Sequence, residues 1–107
     1  MYVRYVKSEN VGERQGYEME RIRRHIIFHG MVQGVGFRYT AYYAARSCGV
    51  AGWVRNLPDD TVEAEVEGTE AAIDMMIQDL RRGRFIQIDY MDVKEIPLKG
   101  GSDFRIR

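Results

Sequence analysis

An arginine at the end of a glycine-punctuated turn is the first place in this chain where chemistry could be done. The segment His29-Gly-Met-Val-Gln-Gly-Val-Gly-Phe-Arg-Tyr39 lies between the apolar run Ile26-Ile27-Phe28 and a stretch of helical spacing that begins at Phe37. Gly30, Gly34 and Gly36 let the backbone take positive φ or approach a ligand closely, so successive amide N–H groups can converge on a phosphate-sized oxyanion at a helix N-terminus. Arg38 adds a permanent charge and a planar, two-pronged donor beside those amides. Two known phosphate loops do not fit. The nucleoside-triphosphate loop needs Lys-Ser/Thr after its last glycine, where this chain has Phe37-Arg38, and the dinucleotide loop needs a third glycine where it has Tyr39. What remains is an anion cradle with an arginine and no ligands for a nucleotide or Mg²⁺. Glycines that merely solve a strand-to-helix turn are the competing reading.

A second segment, Gly52-Trp-Val-Arg-Asn-Leu-Pro58, decides between them. Together the two resemble the signatures of the acylphosphatase family: Gly30-x-Val32-Gln33-Gly34-Val35-Gly36-Phe37-Arg38 is similar to its phosphate loop, and Gly52-Trp53-Val54-Arg55-Asn56 to its second motif. The resemblance runs from about His25 to Arg107 and includes the terminal Phe104-x-Ile106-Arg107. It implies hydrolysis of a small-molecule acyl phosphate to a carboxylate and inorganic phosphate. By the same resemblance Arg38 is a catalytic residue that binds the phosphate, and Asn56 is a catalytic residue that orients the attacking water. The loop of Gln33, Gly34, Val35, Gly36 and Phe37 is then the substrate-binding segment. An acyl phosphate expels a carboxylate, which leaves without being protonated, so such a site needs charge stabilisation and positioning rather than a general acid. No cofactor and no metal are expected. Two departures from the family pattern stand out: Asp60 occupies a turn position that is commonly glycine, and Gly83-Arg-Phe-Ile86 is shorter and less proline-rich than usual.

These residues must be held by regular elements. Arg24 to Gly30 reads as a buried strand. Phe37, Ala41, Ala44, Ala45 and Cys48 recur at helical spacing up to a terminating Gly49. Val50 to Asn56 and Thr61 to Val66 form a hairpin around Leu57-Pro58-Asp59-Asp60, and the alternation of Val62, Ala64 and Val66 with Glu63, Glu65 and Glu67 gives its second strand one wet face. Thr69 is placed to cap a helix with the stripe Ala72, Ile73, Met76, Ile77 and Leu80, ended by Gly83. Strands follow over Phe85 to Ile96 and Phe104 to Arg107. The order β-α-β-β-α-β with a short C-terminal strand is the α+β, ferredoxin-like split βαβ pattern, an antiparallel sheet with two helices on one face. Residues 24–107 make the domain. Residues 1–23 form an N-terminal extension expected to be flexible, although Met1 to Lys7 could supply a strand.

At 107 residues and 45% hydrophobic the chain can bury one core. Its net charge is zero, so nothing in the overall balance favours nucleic acid or an anionic membrane as partner. Cys48 is the sole cysteine, and no apolar run approaches a membrane span; a cytoplasmic monomer is the expectation. His25 and His29 share a strand face but lack a third ligand, Trp53 and the tyrosines Tyr39, Tyr42 and Tyr43 suit packing, and Asp59-Asp60 suits a turn. Two other functions stay open. One is an RNA- or ligand-binding module on the same fold, although no strand carries the basic-Gly-aromatic-Gly-aromatic signature. The other is a relative of the acylphosphatase-like domain of a larger carbamoyl-transfer protein.

Overall fold

The computed structural model describes residues 2–7 and 20–107. In chain order they form β1 (Tyr2–Tyr5), β2 (Arg21–Met31), α1 (Phe37–Cys48), β3 (Ala51–Asn56), β4 (Val62–Thr69), α2 (Glu70–Arg81), β5 (Gln87–Ile96) and β6 (Phe104–Ile106). The six strands make one sheet in the order β1-β5-β2-β4-β3-β6. Its central pairings, β5·β2, β2·β4 and β4·β3, are antiparallel, as the split βαβ pattern requires. Both outer pairings, β1·β5 and β3·β6, are parallel, so the sheet is mixed rather than purely antiparallel.

Two glycines in the left-handed region bound α1: Gly36 at φ 77° and Gly49 at φ 73°. Thr69 caps α2, its side chain accepting from the Ala72 amide. The core lies between one sheet face and these helices. Ile22, Ile26 and Phe28 of β2, Val54 of β3, Val62, Ala64 and Val66 of β4, and Met91 and Val93 of β5 meet Phe37, Ala41, Ala44 and Ala45 of α1 and Ile73, Met76 and Leu80 of α2. The alanines let α1 lie close, and each large side chain buried here contributes roughly 2 kcal/mol. Phe28 and Phe37 pack ring to ring at 4.9 Å between centroids, joining the strand that enters the glycine turn to the helix that leaves it. Among the described residues no helix is long and apolar enough to cross a membrane.

Three expectations are corrected. The strand read from Arg24 to Gly30 runs from Arg21 to Met31, with Ile22 in the core and Arg23 bonded across the sheet. Tyr2–Tyr5 is a strand of the same sheet, held by Val3 against the core, Tyr2 beside the Tyr90 ring and Arg4 paired with Asp92. Met1 and residues 8–19 of the expected flexible extension lie outside the described residues. The wet face of β4 is also drier than its alternation suggests, since Glu67 is only 1% exposed.

Cations explain how three carboxylates sit in a row there. Glu63 bonds His25 Nε2 at 2.8 Å and Arg55 Nε at 2.6 Å, and Glu65 bonds Arg23 Nε and Lys99 Nζ, both at 2.8 Å. Glu67 accepts from Arg23 at 3.1 Å and from the Lys99 amide at 2.8 Å. Burial alone would push these carboxyls up; the hydrogen bonds and charges around them hold all three below the usual glutamate range. A carboxyl lowered on folding stabilises the fold fully above its unfolded value, about 4.3, and the stabilisation disappears as pH falls through the lowered folded value. Urea unfolding should therefore show stability declining below about pH 4. Glu67→Ala, which leaves the buried Arg23 with one partner fewer, should cost about 3 kcal/mol at neutral pH and flatten that acid dependence.

Candidate functional site

The glycine turn sits where β2 leaves the sheet. A bulge between His29 and Gly30 shifts the β2·β5 register, and Gly30 takes φ 136°. A Cβ there would meet Gln87 O at 2.2 Å, so only glycine lets β2 pass β5 at this point. Val32 and Phe37 then anchor the two ends of the turn in the core, while Gly34 and Gly36 are exposed and left-handed. Among the described residues no side chain caps α1: Gly36 offers none, and the first helical turn holds no acidic residue. Among the described residues no backbone carbonyl accepts from the amides of Gly34, Val35, Gly36, Phe37 or Arg38. These are the orphan donors of a helix start, at the positive end of its dipole.

Arg38 is the second residue of α1 and half-buried. No hydrogen bond or ion pair engages its side chain among the described residues, whereas Arg4, Arg21, Arg23, Arg24 and Arg55 all have carboxylate partners. It lies on the same flank of α1 as Tyr42, four residues on, and Tyr42 lines a crevice with Phe104 and Arg105 of β6. Asn56 is the last residue of β3, exposed and in register with Val62. After it the chain turns tightly: Leu57 N–H donates to Thr61 O at 2.9 Å, Asp59 accepts from the amide and hydroxyl of Thr61, and Asp60 takes φ 70°. The aspartate at the usual glycine position therefore does adopt the left-handed conformation, and Asp59-Asp60 is turn chemistry.

Gln33 joins the two segments. Its side-chain Nε2 donates to Leu57 O at 2.7 Å and to Thr61 O at 2.8 Å, holding the glycine turn against the hairpin that carries Asn56. Sequence reasoning reads Gln33 as part of the loop but gives no sign of where its side chain points. Other candidates have structural partners. His25 is bonded to Glu63; His29 is bonded to Asp92 at 2.9 Å and stacked on Tyr90 at 4.0 Å. Trp53 lies beneath Arg55 and Arg107, and burial beside Asp79 pushes the Cys48 thiol up. Among the described residues no group of three or more His, Cys, Asp or Glu side chains is placed to hold a metal ion.

Comparison with known proteins points to one family. The acylphosphatase family model matches residues 24–106. An acylphosphatase of Bordetella parapertussis is 56% identical over 59 residues, a match covering 55% of this chain and 63% of that protein. One from Thermococcus kodakarensis is 40% identical over 89 residues, covering 82% of this chain and 98% of the relative. The crystal structure of acylphosphatase from Bacillus subtilis superposes with a TM-score of 0.74 at 36% identity, covering 80% of this chain and 98% of that one. Full-length HypF in its phosphate- and nucleotide-bound form is also similar, with a TM-score of 0.72 at 30% identity over 87% of this chain but only 12% of that protein.

The bulge sets an order of sensitivity among the glycines. Gly30→Ala should lose more thermal stability than Gly34→Ala, whose added methyl meets nothing within 4 Å and whose strain at φ 73° costs only about 1 kcal/mol. Equal melting temperatures for the two variants would show that the strand crossing at Gly30 has room to relax.

Proposed function

This chain belongs to the acylphosphatase family, and from that premise we propose that it hydrolyses acyl phosphates to a carboxylate and inorganic phosphate, with Arg38, the amides of the glycine turn and Asn56 as its machinery. The observation that carries this reading is the half-buried Arg38 with no carboxylate partner among the described residues, beside a helix start that nothing in those residues caps. Uncompensated positive charge and orphan donors at one spot are costly unless an anion shares it. A phosphoryl group supplies three non-bridging oxygens for that arrangement.

In this mechanism Arg38 and the amides from Gly34 to Phe37 hold the phosphoryl oxygens through a loose, metaphosphate-like transition state. Asn56 holds a water in line with the leaving group. The water oxygen bonds to phosphorus as the bond to the acyl oxygen breaks, the carboxylate departs with that electron pair, and the proton shed by the water passes to solvent. Asparagine is no base, which suits a phosphorus electrophilic enough for merely aligned water. The open sheet face argues against the binding-module alternative: its centre is the carboxylate row of Glu63, Glu65 and Glu67, and the rings of Trp53 and Tyr90 are already covered by Arg55, Arg107 and His29, leaving Tyr2 on the edge strand as its exposed aromatic among the described residues. Single-stranded nucleic acid needs the reverse, a positive groove with free ring faces.

Phosphate release from acetyl or benzoyl phosphate should be rapid and insensitive to chelator. Alkyl phosphate monoesters, whose alkoxide must be protonated to leave, should react orders of magnitude more slowly. Comparable rates on both classes would mean that an acid or a metal does the work. Among variants, Arg38→Ala should lose at least about 10²-fold in kcat/KM, with Arg38→Lys a poor rescue. Asn56→Ala should lose kcat while inorganic phosphate still binds within about threefold of wild type. Loss of phosphate affinity in Asn56→Ala with turnover preserved would reverse the two roles.

A further inference from the structure

We propose that the side chain of Gln33 is a positioning residue, which fixes Asn56 relative to the anion cradle and so acts on the chemical step rather than on substrate binding. The inference rests on the reading of Arg38 and Asn56 given above. Its basis is the double hydrogen bond from Gln33 Nε2 to Leu57 O at 2.7 Å and Thr61 O at 2.8 Å. A primary amide has two N–H donors, and here each has its own acceptor. The two carbonyls are the neck of the hairpin, already joined to each other by the Leu57 N–H to Thr61 O bond, and Asn56 is the residue immediately before Leu57. The amide therefore grips the hairpin directly beneath Asn56.

Little else described in the structure ties these two segments together. The bonds that shape the turn are local, within Leu57 to Thr61, and Pro58, Asp59 and Asp60 are exposed. The hydrogen bonds described between the glycine turn and the hairpin are the two from Gln33. The phosphoryl group is held entirely by the turn and by Arg38, and the water entirely by the hairpin, so the distance between nucleophile and phosphorus is set across this junction. A misplacement of about 1 Å at such a junction can cost on the order of 10²-fold in rate without weakening the ligand's own contacts.

The test is a double-mutant cycle on the full chain. Gln33→Met keeps the length and removes both donors. It should lower kcat for acetyl phosphate at least about 10-fold while inhibition by inorganic phosphate stays within about threefold. In an Asn56→Ala background the same change should have almost no further effect on kcat, because the group it positions is gone. Gln33→Glu places acceptors against two carbonyls and should be the worst variant at neutral pH, then recover relative to wild type as pH falls and its carboxyl regains an O–H donor. A folded Gln33→Met with wild-type kcat overturns the proposal, as does an effect that persists in full without Asn56, or a loss of phosphate affinity that accounts for the loss of rate. Should Gln33→Met fail to fold, Gln33→Asn, which keeps the donors but loses reach, takes its place in the cycle. Failure of the hydrolysis reading itself would look different: wild-type protein would release no phosphate from any acyl phosphate.

Discussion

Strand β2 is hydrogen-bonded on both sides, to β4 and to β5, and its parity decides which way every other group faces. In the observed register Ile26 lies between Ala64 and Val93, and Phe28 between Val62 and Met91, all on the helix side. A slip of one residue would put Arg23, His25 and His29 into the core and Ile22, Ile26 and Phe28 onto the open face. Burying those side chains unpaired would cost far more than a domain of this size has in reserve. The register is thereby pinned, and so is the place at which β2 leaves the sheet. The bulge between His29 and Gly30 shifts the register by one residue, Gly30 and Met31 still pairing with Ile88 and Gln87, before the chain climbs from the sheet layer to the helix layer.

With β2 fixed, the two faces of the sheet take opposite solutions to the problem of charge. On the open face the carboxylates of β4 and Asp92 of β5 are matched by Arg23, Arg55, Lys99, His25, His29 and Arg4. The match is good enough that even a buried glutamate keeps its proton off, which leaves little net field on that face to attract a partner. At the end of the sheet Arg38 has no such match among the described residues, and the amides beside it add to its charge. Composition hides this contrast, because sixteen acids and sixteen bases sum to nothing. What counts is where an ion lacks its counterpart.

Much of the framework was legible because it is local. Gly36 and Gly49 bound α1 as their position around the apolar stripe suggests, Thr69 caps α2, and Asp60 takes the left-handed conformation that a glycine usually fills. The two motifs could be read because each is a contiguous run, one in the glycine turn and the other along β3. What escaped is non-local. Tyr2–Tyr5 is four residues long with one inward side chain, too short for alternation to speak, and it becomes a strand only because β5 offers a free edge. Glu67 looks wet in its strand pattern and is dry because Arg23 and the Lys99 amide close over it from 44 and 32 residues away. The side chain of Gln33 is likewise silent in the sequence, since its acceptors lie 24 and 28 residues further on.

An arrangement of this kind sets function against stability at one end of the molecule. An uncapped helix start and an unpaired arginine repel each other, and the described residues place neither an acid in the first turn nor a hydroxyl at the cap to relieve them. Either change would stabilise the free protein and occupy the space that the proposed phosphoryl group would need. The compensation is found elsewhere: in the Phe28–Phe37 contact that clamps the strand to the helix across the turn, in the burial of Val32, and in the Gln33 amide that ties the turn to the hairpin. Each holds the backbone of the turn in place without using one of its free N–H groups. The loop can therefore be rigid and unsatisfied at once, which is the condition for binding an oxyanion without first paying to reorganise.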